Sequence, residues 1–548
     1  MSSPVSRRGF LKGTGAALSF AALDLGRFAT VAFTPPFDLV IRNGLVLDGT
    51  GGPAFEADIG IRGDTIAAVG RIAAEQGGAT LDAKGLALSP GFIDIHTHSD
   101  GGIFETPTAE SRVYQGITTE VTGNCGSCEA PLLKAADTRP NWATMAEYLE
   151  ALETLKPSLN HAALMGQGTL RREIAGREDR ALTAAELATV LRLTEEGMAD
   201  GAFGLSTGLE YIPGRYTPTD EIVAMARVVA RYGGFYASHI RNEEATLLEA
   251  VDECFDIGRS SGVRVQLSHL KACGRPNWRK QRAALDLLEQ ARRAGLDAWA
   301  DAYPYTAYST TLTIFLDRWA LEGNRDEMVA RLKDPSQRAR IRKELLPRVA
   351  SDPGGYDLIV IASLGTAANQ RFVGKSIAAA AAEWGIEAPD ALLRFLEEER
   401  GGVSFIGHAM SPENVETVLA HPLVMFGSDG SSQGYDEHDS RPHPRSFGAA
   451  PRLLGHYARD RKLFDLPTAV KKMTGMPAQQ IGLADRGRIA RGKKADLVLF
   501  DPKTIADGAT FDEPRKRPTG IPHVLVNGVF VVKDDAHTGA RPGRALRR

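Results

Sequence analysis

Long apolar runs, internal repeats, cysteines and a dominant sign of charge are all scarce in this 548-residue chain. No run of about 18 apolar residues occurs, so no ordinary transmembrane helix is expected. No fixed-period repeat or long low-complexity tract is visible, which argues against solenoids and propellers. The formal net charge of −3 creates no large field, which argues against nucleic acid or an anionic membrane surface as partner. The cysteines are Cys125, Cys128, Cys254 and Cys273. Cys125-x-x-Cys128 leaves a redox or disulfide pair open, but no second such pair exists to complete a structural zinc site. Cys254 lies in a helical pattern and reads as a buried apolar thiol.

What is present suits a soluble globular protein, with 43% hydrophobic and 24% charged residues. The length accommodates a barrel of roughly 250 to 400 residues plus smaller domains. Ser6-Arg7-Arg8-Gly9-Phe10-Leu11-Lys12 precedes a modest apolar stretch from Gly13 to Leu25. That arrangement is a twin-arginine export signal, assigned to residues 1–32, and it implies a periplasmic enzyme exported already folded.

Short β-type runs punctuated by glycine follow, such as Asp38–Gly44, Ala57–Asp64 and Ala67–Gly70. The C-terminal end has the same texture, in Ala495–Asp501 and Val524–Val532. Residues 37–88 and 485–548 are therefore expected to form one small antiparallel β domain, a sandwich built from both ends. Between them, apolar runs alternate with helical patterns: Ala87–Ile95, Thr118–Val121, His161–Met165, Ala202–Leu205, Phe235–Ser238, Val263–Leu267, Ala298–Ala302 and Val424–Phe426. Eight strands with intervening helices predict a closed (β/α)8 TIM-type barrel over residues 89–480. The charge-rich stretch of about 310–365 is longer than one crossover needs and is expected to be an inserted lid.

Chemistry concentrates where those strands end. In Pro90-Gly91-Phe92-Ile93-Asp94-Ile95-His96-Thr97-His98, residues two apart share a strand face, so His96 and His98 can aim at one ion. A lone histidine is ordinarily a packed core residue; His-x-His after an apolar strand points to a metal. Cys125 follows the second strand, His239 ends the fifth, His269 the sixth and Asp429 the eighth. Barrel enzymes place their active sites at these C-terminal strand ends. Thiolate, imidazole and carboxylate together suit Zn2+ better than magnesium or calcium. Asp429 beside the metal can carry a proton from the attacking water to a leaving amine, which describes amide hydrolysis.

The set resembles the amidohydrolase superfamily, and in particular its N-acyl-D-amino-acid deacylase (D-aminoacylase) family. Matching stretches are Gly116-Ile117-Thr118-Thr119, Gly123-Asn124-Cys125-Gly126 and Gly204–Leu209. Others are His239-Ile240-Arg241-Asn242-Glu243, Ser268–Lys271, Asp301–Tyr305 and His443-Pro444-Arg445. The resemblance implies one tightly held zinc on Cys125, His239 and His269, and a second, weaker site of His96, His98 and Asp429. It implies a small-molecule N-acyl amino acid as partner, with Lys271, Tyr303 and Arg445 around its carboxylate. Tyr211 is expected to line the acyl or side-chain pocket. Superfamily relatives that bridge two metals use a carboxylated lysine on strand four; no lysine occurs between Lys156 and His239, and Cys125 substitutes. Two departures stand out. Gln167 occupies a position where relatives carry histidine, and the polar segment Gly430–Pro442, with Asp436, Glu437, His438 and Asp439, reads as a solvated loop. The other readings are a cyclic-amide hydrolase, disfavoured by the missing lysine, another amide or dipeptide hydrolase, and a non-catalytic metal-binding protein, disfavoured by Asp429.

Overall fold

The computed structural model describes residues 36–133, 142–437 and 439–548. The segment expected to be an export signal and His438 lie outside the described residues.

Eight parallel strands form the barrel. They are Phe92–Asp94, Ile117–Thr122, the pair Asn160–Ala163 and Met165–Gly166, Gly204–Gly208, Phe235–His239, Arg264–Leu267, Ala298–Ala302 and Val424–Phe426. Neighbours pair in chain order, from the first strand through the eighth. The circle closes where Thr97 bridges Gly430 in parallel, with His98 N–H donating to Gly430 O at 2.8 Å. Helices such as Ala184–Asp200, Thr219–Arg231 and Leu247–Ser261 cover the outside. Apolar residues on these helices' inner faces, among them Val190, Ile222 and Val251, pack into the core.

The expected first strand, Ala87–Ile95, proves to be two. Ala87–Pro90 belongs to the β domain, and the barrel begins at Phe92. Gly91 is the break, because a Cβ there would lie 2.1 Å from Thr118 Oγ1. The other expected runs overlap the barrel strands, the fourth only at Gly204 and Leu205.

The β domain is one nine-stranded sheet drawn from both ends of the chain. Ala87–Pro90 sits at its centre, pairing with Phe37–Val46 on one edge and Leu497–Phe500 on the other. Leu39, Ile41 and Ile59 share an apolar core with Leu497, Leu499 and Leu525, while the alternate residues Val498, Val524 and Val526 pack into the main core on the other face. The sheet is mixed, not antiparallel as expected: Gly77–Asp82 and Ala87–Pro90 both run parallel to Phe37–Val46. The 3-10 turn Ala74–Gln76 lets the chain return before re-entering the sheet.

The insertion is longer than predicted. It contains a three-stranded sheet of Tyr308–Thr311, Ile359–Ser363 and Ser404–Gly407, with helices between. The helices Ile377–Trp384 and Ala388–Glu398 and the strand Ser404–Gly407 lie beyond the expected limit of about residue 365.

Between the barrel wall and the short helix Glu110–Val113 lies a buried ionic network. Arg112 pairs with Asp94 and donates to Ser428 Oγ at 2.9 Å, while Ser428 N–H donates to Asp94 Oδ1 at 2.8 Å. These bonds tie the eighth strand to the first directly beneath the candidate ligands.

Candidate active site

Each candidate ligand sits where a parallel strand gives way to a turn. His239 is the last residue of the fifth strand. His96, Cys125, His269 and Asp429 come two or three residues beyond their strands. Cys125, His269 and Asp429 have left-handed backbones, with φ of 52°, 35° and 54°. The Cys125 turn is held by Gly126 N–H donating to Ser206 Oγ at 3.0 Å and by Asn124 Nδ2 donating to Val121 O at 2.9 Å. Gly123 just before it admits no side chain, since a Cβ would approach Leu164 O to 2.3 Å.

The side chains converge. Cys125 Sγ lies 3.3 Å from His96 Nε2, 3.6 Å from His269 Nε2 and 3.9 Å from His239 Nδ1. His96, Cys125, His269 and Asp429 each offer one donor atom, all within 4.8 Å of one another. A second group, His239, Glu243 and His269, shares His269 with the first. His98 is the most open of the set, with 34% of its side chain exposed, and its Nε2 lies 2.9 Å from Asp429 Oδ1.

The electrostatics fit a cation. Burial alone would raise the Cys125 thiol, yet His96 and hydrogen bonds from His239 and His269 hold it well below the usual thiol range. Burial would lower His96, but Cys125 and Asp301 hold it well above the imidazole range. Against the same burial penalty, His239 is lifted to about 10 by Glu243 and Cys125. Protons on the imidazoles thus balance a thiolate and a carboxylate, and a divalent ion would take over that role. Sulfur, nitrogen and oxygen donors at these distances are a zinc set. Cys128 is not bonded to Cys125; its buried thiol donates to Ala130 O at 3.0 Å.

Asp429 is flanked on both sides. His98 holds Oδ1, and Arg445 Nη1 lies 2.7 Å from Oδ2. Burial would raise its carboxyl, but Arg445, His269 and His96 hold it well below the usual range. It stands as an ionised base at neutral pH.

A cavity of about 330 Å³ opens over these groups, within the size range of small-molecule sites. Lys271 and Arg445 line it, both already paired: Lys271 Nζ lies 2.7 Å from Glu243. Tyr211 lines it too, its ring tilted against His239 at 4.7 Å between centroids and its hydroxyl accepting a hydrogen bond from Thr310 of the insertion. Tyr303 stands behind the wall, beneath Lys271 and Arg445, with its hydroxyl buried and unpartnered among the described residues. Gln167 is not part of the wall; it is buried, donating to Thr217 Oγ1 at 2.8 Å. In the Gly430–Pro442 segment, Glu437 pairs with Arg515 at 2.9 Å, which anchors the expected loop.

Three carboxylates escaped the sequence reasoning. Asp301 Oδ1 lies 3.2 Å from His96 Nδ1 and accepts from His269 N–H at 2.8 Å, so one residue orients two ligands. Glu210 lies 3.0 Å from His239 Nε2, and Glu243 lies 3.0 Å from His269 Nδ1. Asp301 was visible as a carboxylate at a strand end; Glu210 and Glu243 carry no local signal of their role.

Comparison with known proteins agrees with this geometry. Residues 79–532 match the amidohydrolase family model. A D-aminoacylase of Alcaligenes xylosoxydans xylosoxydans is 38% identical over 523 residues, covering 94% of this chain and 98% of that one. A solved D-aminoacylase, whose binuclear metal centre is activated by one metal and attenuated by a second, superposes with a TM-score of 0.81 at 37% identity. The match covers 94% of this chain and 100% of that one. A solved N-acyl-D-glutamate deacylase of Bordetella bronchiseptica, complexed with zinc and a phosphonate mimic of the tetrahedral intermediate, gives 0.80 at 34% identity. There, 93% of this chain and 100% of that chain are covered. The chain therefore belongs to the amidohydrolase family, on its D-aminoacylase branch.

Proposed function

We propose that this enzyme hydrolyses the amide bond of N-acyl-D-amino acids, giving a carboxylate and a free D-amino acid, with zinc as cofactor. The observation that carries the reading is Asp429. It is an ionised, doubly flanked carboxylate within 4.8 Å of three thiol and imidazole donors at a barrel mouth. Cys125, His239 and His269 would hold the stronger metal, and His96, His98 and Asp429 the weaker. Zinc held there supplies a Lewis acid that makes water acidic enough to ionise near neutral pH. Asp429 takes the proton of the attacking water and delivers it to the departing amine nitrogen, leaving the acyl carbon as carboxylate. His98 keeps Asp429 aimed at the cavity. Arg445, with Lys271 and Tyr303 behind it, receives the substrate's α-carboxylate, and Tyr211 packs beside the acyl group. The D configuration is supported by the D-amino-acid deacylases that this chain resembles.

Export by the twin-arginine route to the periplasm belongs to the same reading, supported by Arg7 and Arg8 ahead of the Gly13–Leu25 stretch. Replacing both arginines with lysine should keep the protein out of the periplasmic fraction. The reaction itself is tested by amine release from paired N-acetyl-D- and L-amino acids. Release from D forms only, lost on chelation and restored by zinc, is expected; release from L forms alone would refute the stereochemistry.

A further inference from the structure

We infer that the active-site cavity selects N-acyl-D-amino acids with a cationic side chain, the lysine and arginine derivatives, through Asp352 and Glu244. The inference rests on the deacylase reading and specifies its substrate.

The argument is a balance of charge around the cavity. Three of its carboxylates are committed: Glu243 to Lys271, Asp429 to Arg445, and Glu210 to His239. Two are not. The Glu244 carboxylate lines the cavity with no hydrogen bond or ion pair among the described residues. Asp352 is 3% exposed; its Oδ2 accepts from the Tyr308 hydroxyl at 2.6 Å, while Oδ1 is buried without a partner. Among the described residues, the one lysine or arginine of the wall besides Lys271 and Arg445 is Arg172, half-exposed and 3.8 Å from Glu173. Neither nearby guanidinium bonds to Glu244 or Asp352: Arg348 is paired with Asp317 and acts on Glu244 only through space, and Arg215 lies outside the wall, donating to Leu316 O.

Asp352 is also held in place. It follows the helix Pro335–Ser351 of the insertion, whose last residue presses on the barrel at Gly274. A Cβ on Gly274 would fall 1.8 Å from Ser351 O, and its φ of +76° favours glycine independently. Gly274 N–H meanwhile donates to Ala409 O at 3.0 Å, fixing that loop. The carboxylate is thus set into the wall of the cavity, not carried on a free tail.

A buried carboxylate oxygen without a donor is costly, and an ammonium or guanidinium satisfies it with a charge-assisted hydrogen bond. Burial, with Glu210 and Glu243 nearby, already pushes Asp352 up to about 7 despite the bond from Tyr308. A cation relieves that strain; a carboxylate side chain adds to it; an aliphatic one leaves Oδ1 unsatisfied.

The test uses the full-length enzyme and four substrates: N-acetyl-D-lysine, N-acetyl-D-arginine, N-acetyl-D-glutamate and N-acetyl-D-norleucine. Norleucine matches lysine in chain length without the charge. The zinc-loaded enzyme should favour the lysine and arginine substrates over norleucine by about 10- to 100-fold in kcat/KM, with glutamate slowest. Asp352→Asn and Glu244→Gln should each shrink that ratio by raising KM for the cationic pair. Calorimetry on metal-free protein should show tighter binding of N-acetyl-D-lysine than of the norleucine compound, a difference reduced in both variants. Preference for norleucine or glutamate overturns the inference and leaves the deacylase reading standing. Equal slowing of all four substrates in both variants also overturns it, since that marks a structural role. Failure to hydrolyse any of the four, with no difference in binding, removes both.

Discussion

A left-handed backbone at a non-glycine residue costs on the order of 1–3 kcal/mol, and it persists only where the surroundings enforce it. Cys125, His269 and Asp429 all carry it, so strand-end geometry, not side-chain flexibility, delivers their donor atoms. Asp429→Asn keeps this turn and the side-chain volume but removes the base. We expect kcat/KM to fall by about 1,000-fold or more while zinc at the stronger site is retained, checked by kinetics beside metal analysis of the same preparation. Cys125→Ala removes one of the proposed zinc ligands outright. Zinc affinity should drop by at least about 100-fold in chelator competition, and unchanged affinity would dismiss the assigned ligand set. The six candidate ligands could be picked out because strand periodicity and strand ends are both written locally. Glu210 and Glu243 were not, because their partners come from other strands and no spacing within their own segments announces them.

Elements tell a similar story of local legibility and distant constraint. The barrel strands were readable as apolar runs; the break at Gly91 was not, since its cause is Thr118, on the neighbouring strand. The helix Leu466–Met473 is pinned to the eighth strand by Lys472, whose Nζ donates to His421 O at 2.6 Å and Val424 O at 2.7 Å. Burial lowers this amine to about 7. Its value in the unfolded chain is about 10.4, so between those limits the unfolded state binds the extra proton. Lys472 therefore contributes a rise in stability as pH climbs from about 7 towards 10.4. Denaturant melts across that window should show the slope, and Lys472→Met should flatten it. Arg112→Met would strand the buried Asp94 and Glu120 carboxylates between the barrel wall and the helix Glu110–Val113. A loss of about 3–5 kcal/mol in unfolding free energy is expected from urea titration.

On the scale of the whole molecule, chemistry and stability occupy opposite ends of the barrel. The last residues close the far end: Leu546 N–H donates to His161 O, His161 N–H to Arg544 O, and Ala545 bridges His161 at the start of the third strand. Deleting residues 543–548 should lower the melting temperature by about 5 °C or more, yet leave kcat at low temperature nearly unchanged. Equal loss of both would show that the two ends are coupled. The joining of both termini into one sheet was visible as matched texture, but the strand order was not, because register depends on partners some 400 residues apart. That pairing also orders events in time. During synthesis, the free edge of Ala87–Pro90 must wait, unpaired and adhesive, until Leu497–Phe500 leaves the ribosome. Any later event that requires the folded chain must then wait for the closure of this one seam.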